Sequence, residues 1–273
     1  MPQTAREIVT RCLKFGTPER MPRDLWTLPW AEKNHAEEIA EMQRRFPSDF
    51  GSAPNVYRPS ARVEGDPYAV GRFVDEWGSI FTNIQEGVIG EVRTPLVADI
   101  ADWKSVEPPY ETLPENPSEA RDQINRHCAS TDLFVRASCC ARPWERYQFL
   151  RGTENSMMDI MMPEEGAADL LRVIHEFYMK ELEFWVTTDV DAIMFMDDWG
   201  AQSQLLIPPP IWRELFKPFY RDYCSLAHAH GKFAFMHSDG HISEVYEDLI
   251  EVGVDAVDAA PGAGGDGRVG DGE

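Results

Sequence analysis

The chain has 273 residues, 43% of them hydrophobic, enough for one large α/β domain or two average ones. Its 47 acidic against 26 basic residues give a net charge of -21, a field that repels nucleic acid and anionic membrane and disfavours a highly anionic substrate. No apolar run approaches membrane-helix length, the charged N-terminus MPQTAREIVTRCLKFG lacks the apolar core of a secretory signal, and five cysteines without a CxxC spacing indicate a reduced, cytoplasmic setting.

A first helix over about 3–15 places Ile8, Val9, Cys12 and Leu13 on one face, and Gly16 and Pro18 end it. MPRDLWTLPW (21–30) reads as a short strand with its exit loop, followed by a polar helix over 31–45 and a second strand within 48–57. Residues 72–95 alternate and are punctuated by glycines, which predicts an antiparallel hairpin inserted on the main fold. A proline-rich loop over 108–117 leads to a helix at 118–130. From there the rhythm is regular. LFVRASCC (133–140) is a strand, 143–162 and 164–187 are helical, and AIMFMDD (192–198) is a strand. A helical segment over 209–231, broken near Pro218, precedes the strand KFAFMHSDG (232–240), a helix over 242–253 and the strand VDAVDAA (254–260).

Strands alternating with amphipathic helices imply parallel β/α units, and the size suits a TIM (β/α)8 barrel. About six candidate strands can be counted, where a closed barrel needs eight. The expectation is therefore an incomplete barrel domain over 1–260 that lacks its last one or two units. PGAGGDGRVGDGE (261–273) follows as a glycine-rich tail, left by truncation or a shifted frame or present as a natural flexible end.

In such barrels chemistry sits where strands run out into their loops. DDWG (197–200) and HSDG (237–240) occupy that position, so Asp197, Asp198, His237 and Asp239 can converge on one mouth, with Gln202 close behind. An imidazole among carboxylates can hold a divalent metal, with His237 and Asp239 as ligands, or divide the roles of acid, base and orienting group. The competing structural readings are a helix N-cap for Asp198 or Ser238 and a purely structural His237. His228 and His230 suit the end of a helix, and His241 the start of the next. The tryptophans and methionines suit a core, with Trp199 and Met236 as candidate pocket walls. Arg142 and Arg146, after the Cys139–Cys140 strand, are candidates for an anionic group on a substrate or for surface ion pairs.

LKFGTPERMPRDLW, DEWG, CARPWERYQFLRG, DDWGAQSQLLIPPPIWRELFKPFY and HSDGHISEVYEDLIEVGVDAVD, in this order, resemble the uroporphyrinogen decarboxylase superfamily. The likeness runs from about Ala5 to Asp258 and is strongest over 192–258. The superfamily also contains cobalamin-dependent methyltransferases that act with corrinoid proteins, and the resemblance implies a TIM barrel. Its decarboxylases carry an arginine-rich loop after the first strand, where this chain reads LWTLPWAEKN. Its methyltransferases use a His-x-Cys pair and a late cysteine to bind zinc; here His237-Ser238-Asp239 puts a carboxylate where the thiolate would be, and a late ligand would fall beyond Ala260.

The resemblance thus implies a methyltransferase-like enzyme whose methyl transfer involves a corrinoid, as donor or acceptor, or a methylated small molecule. Zinc on His237 and Asp239 would assist, Asp197, Asp198, Trp199 and Gln202 would line the pocket, and a corrinoid protein would be a partner. The alternatives are a metal-free porphyrinogen decarboxylase, and an inactive truncated barrel or tetrapyrrole-binding protein.

Overall fold

The computed structural model describes residues 2–162 and 164–258. Its elements, in chain order, are α1 (Ala5–Leu13), α2 (Pro29–Asn34), α3 (Ala36–Arg45), β1 (Phe50–Ser52), β2 (Gly71–Val74), β3 (Ile80–Asn83), β4 (Glu91–Thr94) and α4 (Pro117–Ala129). They continue with β5 (Phe134–Arg136), α5 (Pro143–Arg151), α6 (Thr153–Met161), α7 (Ala167–Trp185) and β6 (Ala192–Met196), then α8 (Pro209–Leu215), α9 (Lys217–Ala229), β7 (Phe233–His237), α10 (Tyr246–Val252) and β8 (Ala256–Asp258).

Five strands form one parallel sheet in the order β1-β5-β6-β7-β8, so each neighbour in sequence is a neighbour in space, as in a β/α barrel. Among the described residues the sheet does not close. The family of short parallel strands with intervening helices is the expected α/β architecture; the tail expected over 261–273 and the last two residues of the final strand lie outside the described residues.

Period-two alternation gives the sheet two faces. Val135, Ala137, Ile193, Phe195, Ala234 and Met236 join the large core against the helices. Phe134, Ala192 and Phe235 form a smaller cluster on the opposite face with Val9 of α1. A capping box of Thr4 and Glu7 starts α1, and Arg6 ties it to Asp191 at 3.0 Å, seating the helix at the foot of the strands.

The predicted strand in 21–30 does not form. Pro22 and Pro29 lack N–H groups, and the Arg23 N–H is taken by the Asp49 carboxylate at 2.7 Å rather than by a neighbouring strand. Two predicted helices are each two helices: Gly152, at φ +74, separates α5 from α6, and His35 separates α2 from α3. The expected break near Pro218 falls at Phe216, with Pro218 in the first turn of α9. The hairpin expected over 72–95 is a three-stranded antiparallel sheet, β2-β3-β4. Its DEWG turn is shaped by Asp75, whose Oδ1 accepts the N–H groups of Trp77 and Ser79, while Gly78 sits at φ +86. No described helix is long and apolar enough to cross a membrane.

Candidate active site

β6 and β7 pair in register over their whole length, ending with Met196 opposite His237. Continued one residue at a time, that register sets Asp197 level with Ser238 and Asp198 level with Asp239. The alternation then sends Asp198 to the side of His237 and Asp239, and Asp197 to the other. Asp239 donates its N–H to Asp198 Oδ1 at 2.9 Å, and Gly200 donates its N–H to the Asp239 carbonyl at 3.0 Å. The two loops cross so closely that a Cβ on Gly200 would lie 2.2 Å from the Gly240 carbonyl carbon, and one on Gly240 2.3 Å from the Gly200 oxygen. Glycine is required at both places.

The result is a cluster of three. His237 Nε2 lies 3.6 Å from Asp239 Oδ1 and 3.9 Å from Asp198 Oδ1, and one ligand atom from each residue falls within 4.8 Å of the others. His237 is buried; Asp198 is half-buried and Asp239 exposed. Burial, then the neighbouring Asp198 charge, raises the Asp239 carboxyl above its usual range. The other imidazole nitrogen, Nδ1, is sealed from solvent without a hydrogen-bond partner, and Asp258 Oδ2 at the end of β8 stands 3.6 Å from it. Trp26, in the segment that replaces the predicted first strand, sets its ring edge-on to His237 with centroids 5.0 Å apart.

This donor set fits a divalent cation. The separations of 3.6 and 3.9 Å from His237 Nε2 suit metal–ligand bonds of about 2.0–2.2 Å, and three protein ligands leave room for a further one. With one nitrogen and two carboxylates the site is harder than a thiolate site.

The remaining sequence candidates go elsewhere. Asp197 is fully buried and accepts hydrogen bonds from the backbone N–H groups of Trp144 at 3.1 Å and Glu145 at 2.8 Å, and from the Tyr220 hydroxyl at 2.6 Å. It therefore caps the first turn of α5, which has no side-chain cap of its own. Trp199 is also fully buried, stacked on Trp144 with centroids 5.4 Å apart, and its Nε1 donates to Tyr220. Neither side chain reaches the mouth, so their expected catalytic and pocket-lining positions are corrected to structural ones. Ser238 holds the Trp199 N–H at 3.1 Å, and Met236 belongs to the helix-side core. Gln202 is exposed on the loop beyond DDWG.

Arg146 is buried in an ion pair with Asp75 and reaches Glu76 at 3.2 Å, with its guanidinium over the Trp77 and Phe149 rings. It joins α5 to the antiparallel sheet and is not free for a substrate. Arg142 lines a cavity, and its nearest carboxylate among the described residues is Glu145 at 4.0 Å. His228 pairs with Asp255 at 2.8 Å, and His241 contacts the Ser243 hydroxyl at 2.7 Å.

Sequence reasoning missed Asp258, Trp26 and Glu145. Asp258 could have been found from the pattern, because it ends the strand after HSDG just as Asp198 and Asp239 follow theirs. Glu145 lines a second opening together with Asp198, and burial raises its carboxyl above the usual range.

Comparison with known proteins agrees with this architecture. A methyltransferase from Methanosarcina mazei has a similar solved structure, with a TM-score of 0.61 at 14% sequence identity, covering 93% of this chain and 75% of that one. No curated protein matches the chain in sequence. The family model for uroporphyrinogen decarboxylase (URO-D) matches residues 81–261, a span that starts within β3 and includes β4, α5 and both glycine-crossed loops, and the chain belongs to that family.

Proposed function

We propose that the chain is a methyltransferase-like enzyme of its family, moving a methyl group between a small methylated molecule and a corrinoid, with a divalent metal, zinc by the family's precedent, at the mouth. The observation that carries this reading is the convergence of Asp198, His237 and Asp239. Asp258, 3.6 Å from Nδ1 and not yet hydrogen-bonded to it, is the carboxylate that would accept from Nδ1 after a small approach, leaving Nε2 free as a ligand atom. When bound, zinc supplies a Lewis acid that activates a thiol or water at neutral pH. Trp26 covers one side of the imidazole and would limit access of water.

The pairing of the arginines weighs against a porphyrinogen with many carboxylates. Arg136 is held by Asp24 at 2.9 Å, Arg146 by Asp75 and Glu76, and Arg151 by Asp159 at 2.7 Å. A polyanion would have to displace those pairs in an already acidic protein.

Equilibrium dialysis against Zn²⁺ tests the reading, with expected binding near one ion per chain that His237→Ala weakens by about 100-fold. Demethylation of methylcobalamin by the loaded protein with a thiol acceptor, followed by visible absorbance, is the matching activity. Wild-type protein that holds no zinc, or porphyrinogen turnover by metal-free protein, would replace this reading with the decarboxylase one.

A further inference from the structure

A cavity of about 480 Å³ lies on the other side of α5 from Asp198. Helical spacing divides α5 between the two openings. Arg142 and Arg146 face this cavity, Glu145 and Gln148 face the one that Asp198 lines, and Phe149 borders both. The cavity's walls come from the loop after β1, the antiparallel sheet, the segment after β5 and α7, and they hold a group of aromatic side chains that includes Phe73, Trp77, Phe81, Phe177 and Tyr178. Such a volume and lining suit the apolar body of a small molecule.

The wall also carries many polar groups, and several of the charged ones are already paired. Arg146 is bound by Asp75 and Glu76, and Arg58 donates to the Leu113 carbonyl at 2.9 Å. Arg142 is different. Its side chain is mostly buried, its nearest carboxylate among the described residues is 4.0 Å away, and its other neighbour, Cys140, stays a neutral thiol because burial pushes it up to about 11. A mostly buried guanidinium without a close anion, at the edge of an aromatic cavity, favours an anionic head group from a ligand.

We infer that this cavity binds an aromatic monocarboxylate, with the carboxylate on Arg142 and the ring between the antiparallel sheet and α7. The inference goes beyond the metal reading of the mouth and does not depend on it. One carboxylate suffices, because among the described residues Arg146 is paired with two carboxylates and the more exposed Arg58 is held by the Leu113 carbonyl, which leaves Arg142 as the mostly buried guanidinium with no carboxylate nearer than 4.0 Å.

Glu181 of α7 also lines the cavity and makes binding depend on pH. Burial raises its carboxyl to about 7. It is faced by Tyr57 from the loop after β1, Glu76 from the antiparallel sheet, Cys139 and Cys140 from β5, Arg142 and Arg146 from α5, Tyr178 from its own helix, and Tyr223 from α9. Burial drives both cysteines and the three tyrosines upward, away from neutrality. A bound anion beside Glu181 favours its protonated form, so binding takes up a proton and weakens as pH rises through about 7.

Isothermal titration of the full chain with benzoate and 2-naphthoate, in EDTA, tests this apart from any metal. At least one acid should bind saturably, with benzamide and benzylammonium at least about tenfold weaker. Arg142→Met should weaken binding about tenfold or more, and Arg142→Lys should restore part of it. Between pH 6 and 8 affinity should fall by about tenfold in the parent chain and stay nearly flat in Glu181→Gln. Should Arg142→Met fail to fold by circular dichroism, the acid-against-amide preference and the Glu181→Gln profile still decide. No saturable binding of either acid, equal binding of benzamide, or an unchanged pH profile in Glu181→Gln would overturn the inference. Zinc binding at the mouth can fail without affecting any of these results.

Discussion

The DDWG and HSDG loops end adjacent parallel strands, have the same length and close on glycines that touch, yet they present different positions to the mouth. DDWG presents its second residue, and HSDG its first and third. The cause is a one-residue offset: the β6–β7 register pairs Met196, the residue before DDWG, with His237, the first residue of HSDG. Side chains that look equivalent by motif position therefore fall on opposite faces, and those that are equivalent by register fall together. Chemistry at paired strand ends is organised by pairing, not by the letters of each motif.

Substitutions along the two loops can break or sharpen this contrast. The largest effect is expected at the crossing itself. Gly240→Ala would push a methyl group into the Gly200 backbone from a left-handed conformation, and should cost on the order of 4 kcal/mol in denaturant unfolding. Gly231→Ala is the control, since it has a similar φ of +69 with nothing within 4 Å, and should cost about 1 kcal/mol. Equal losses would mean that conformation, not the crossing, is the constraint.

Next comes the pair of adjacent aspartates. Asp197→Ala strands two backbone N–H groups and a buried hydroxyl, and should destabilise the fold by about 3 kcal/mol. Asp198→Ala should cost less than about 1 kcal/mol while lowering zinc affinity by about tenfold or more. A reversed outcome would show that the register does not continue past the strands. The smallest effect is expected for Ser238→Ala, which removes only the partner of the Trp199 N–H. About 1 kcal/mol should be lost, with zinc binding unchanged in dialysis.

Much of the fold could be read from residue patterns because the later strands are apolar runs bounded by helices with a regular period. The parallel strands near 134, 192, 233 and 256 stand where that rhythm puts them. The first strand failed because an extended, proline-bounded segment looks the same whether its N–H groups meet a carbonyl or, as at Arg23, a carboxylate. The position of the site was legible, since DDWG and HSDG do meet, and so were the two histidine-linked carboxylates. The separate fates of Asp197 and Asp198 were not, because a one-residue register offset leaves no trace in either motif alone. For Arg146 the ion-pair alternative holds, but its burial and its partners were not legible for a related reason. Its partners, Asp75 and Glu76, belong to an antiparallel sheet about seventy residues away, and their pairing with α5 is purely tertiary.

The Asp197 cap has a consequence for how this scaffold can diversify. It fastens the start of α5 to the strand that carries Asp198, so the partition between the cavity and the mouth keeps its place whatever residues it displays. An exchange at 142 would redraw the cavity while the cluster around His237 stays where it is. Recognition and reactivity can then drift independently, as two tenants of one wall.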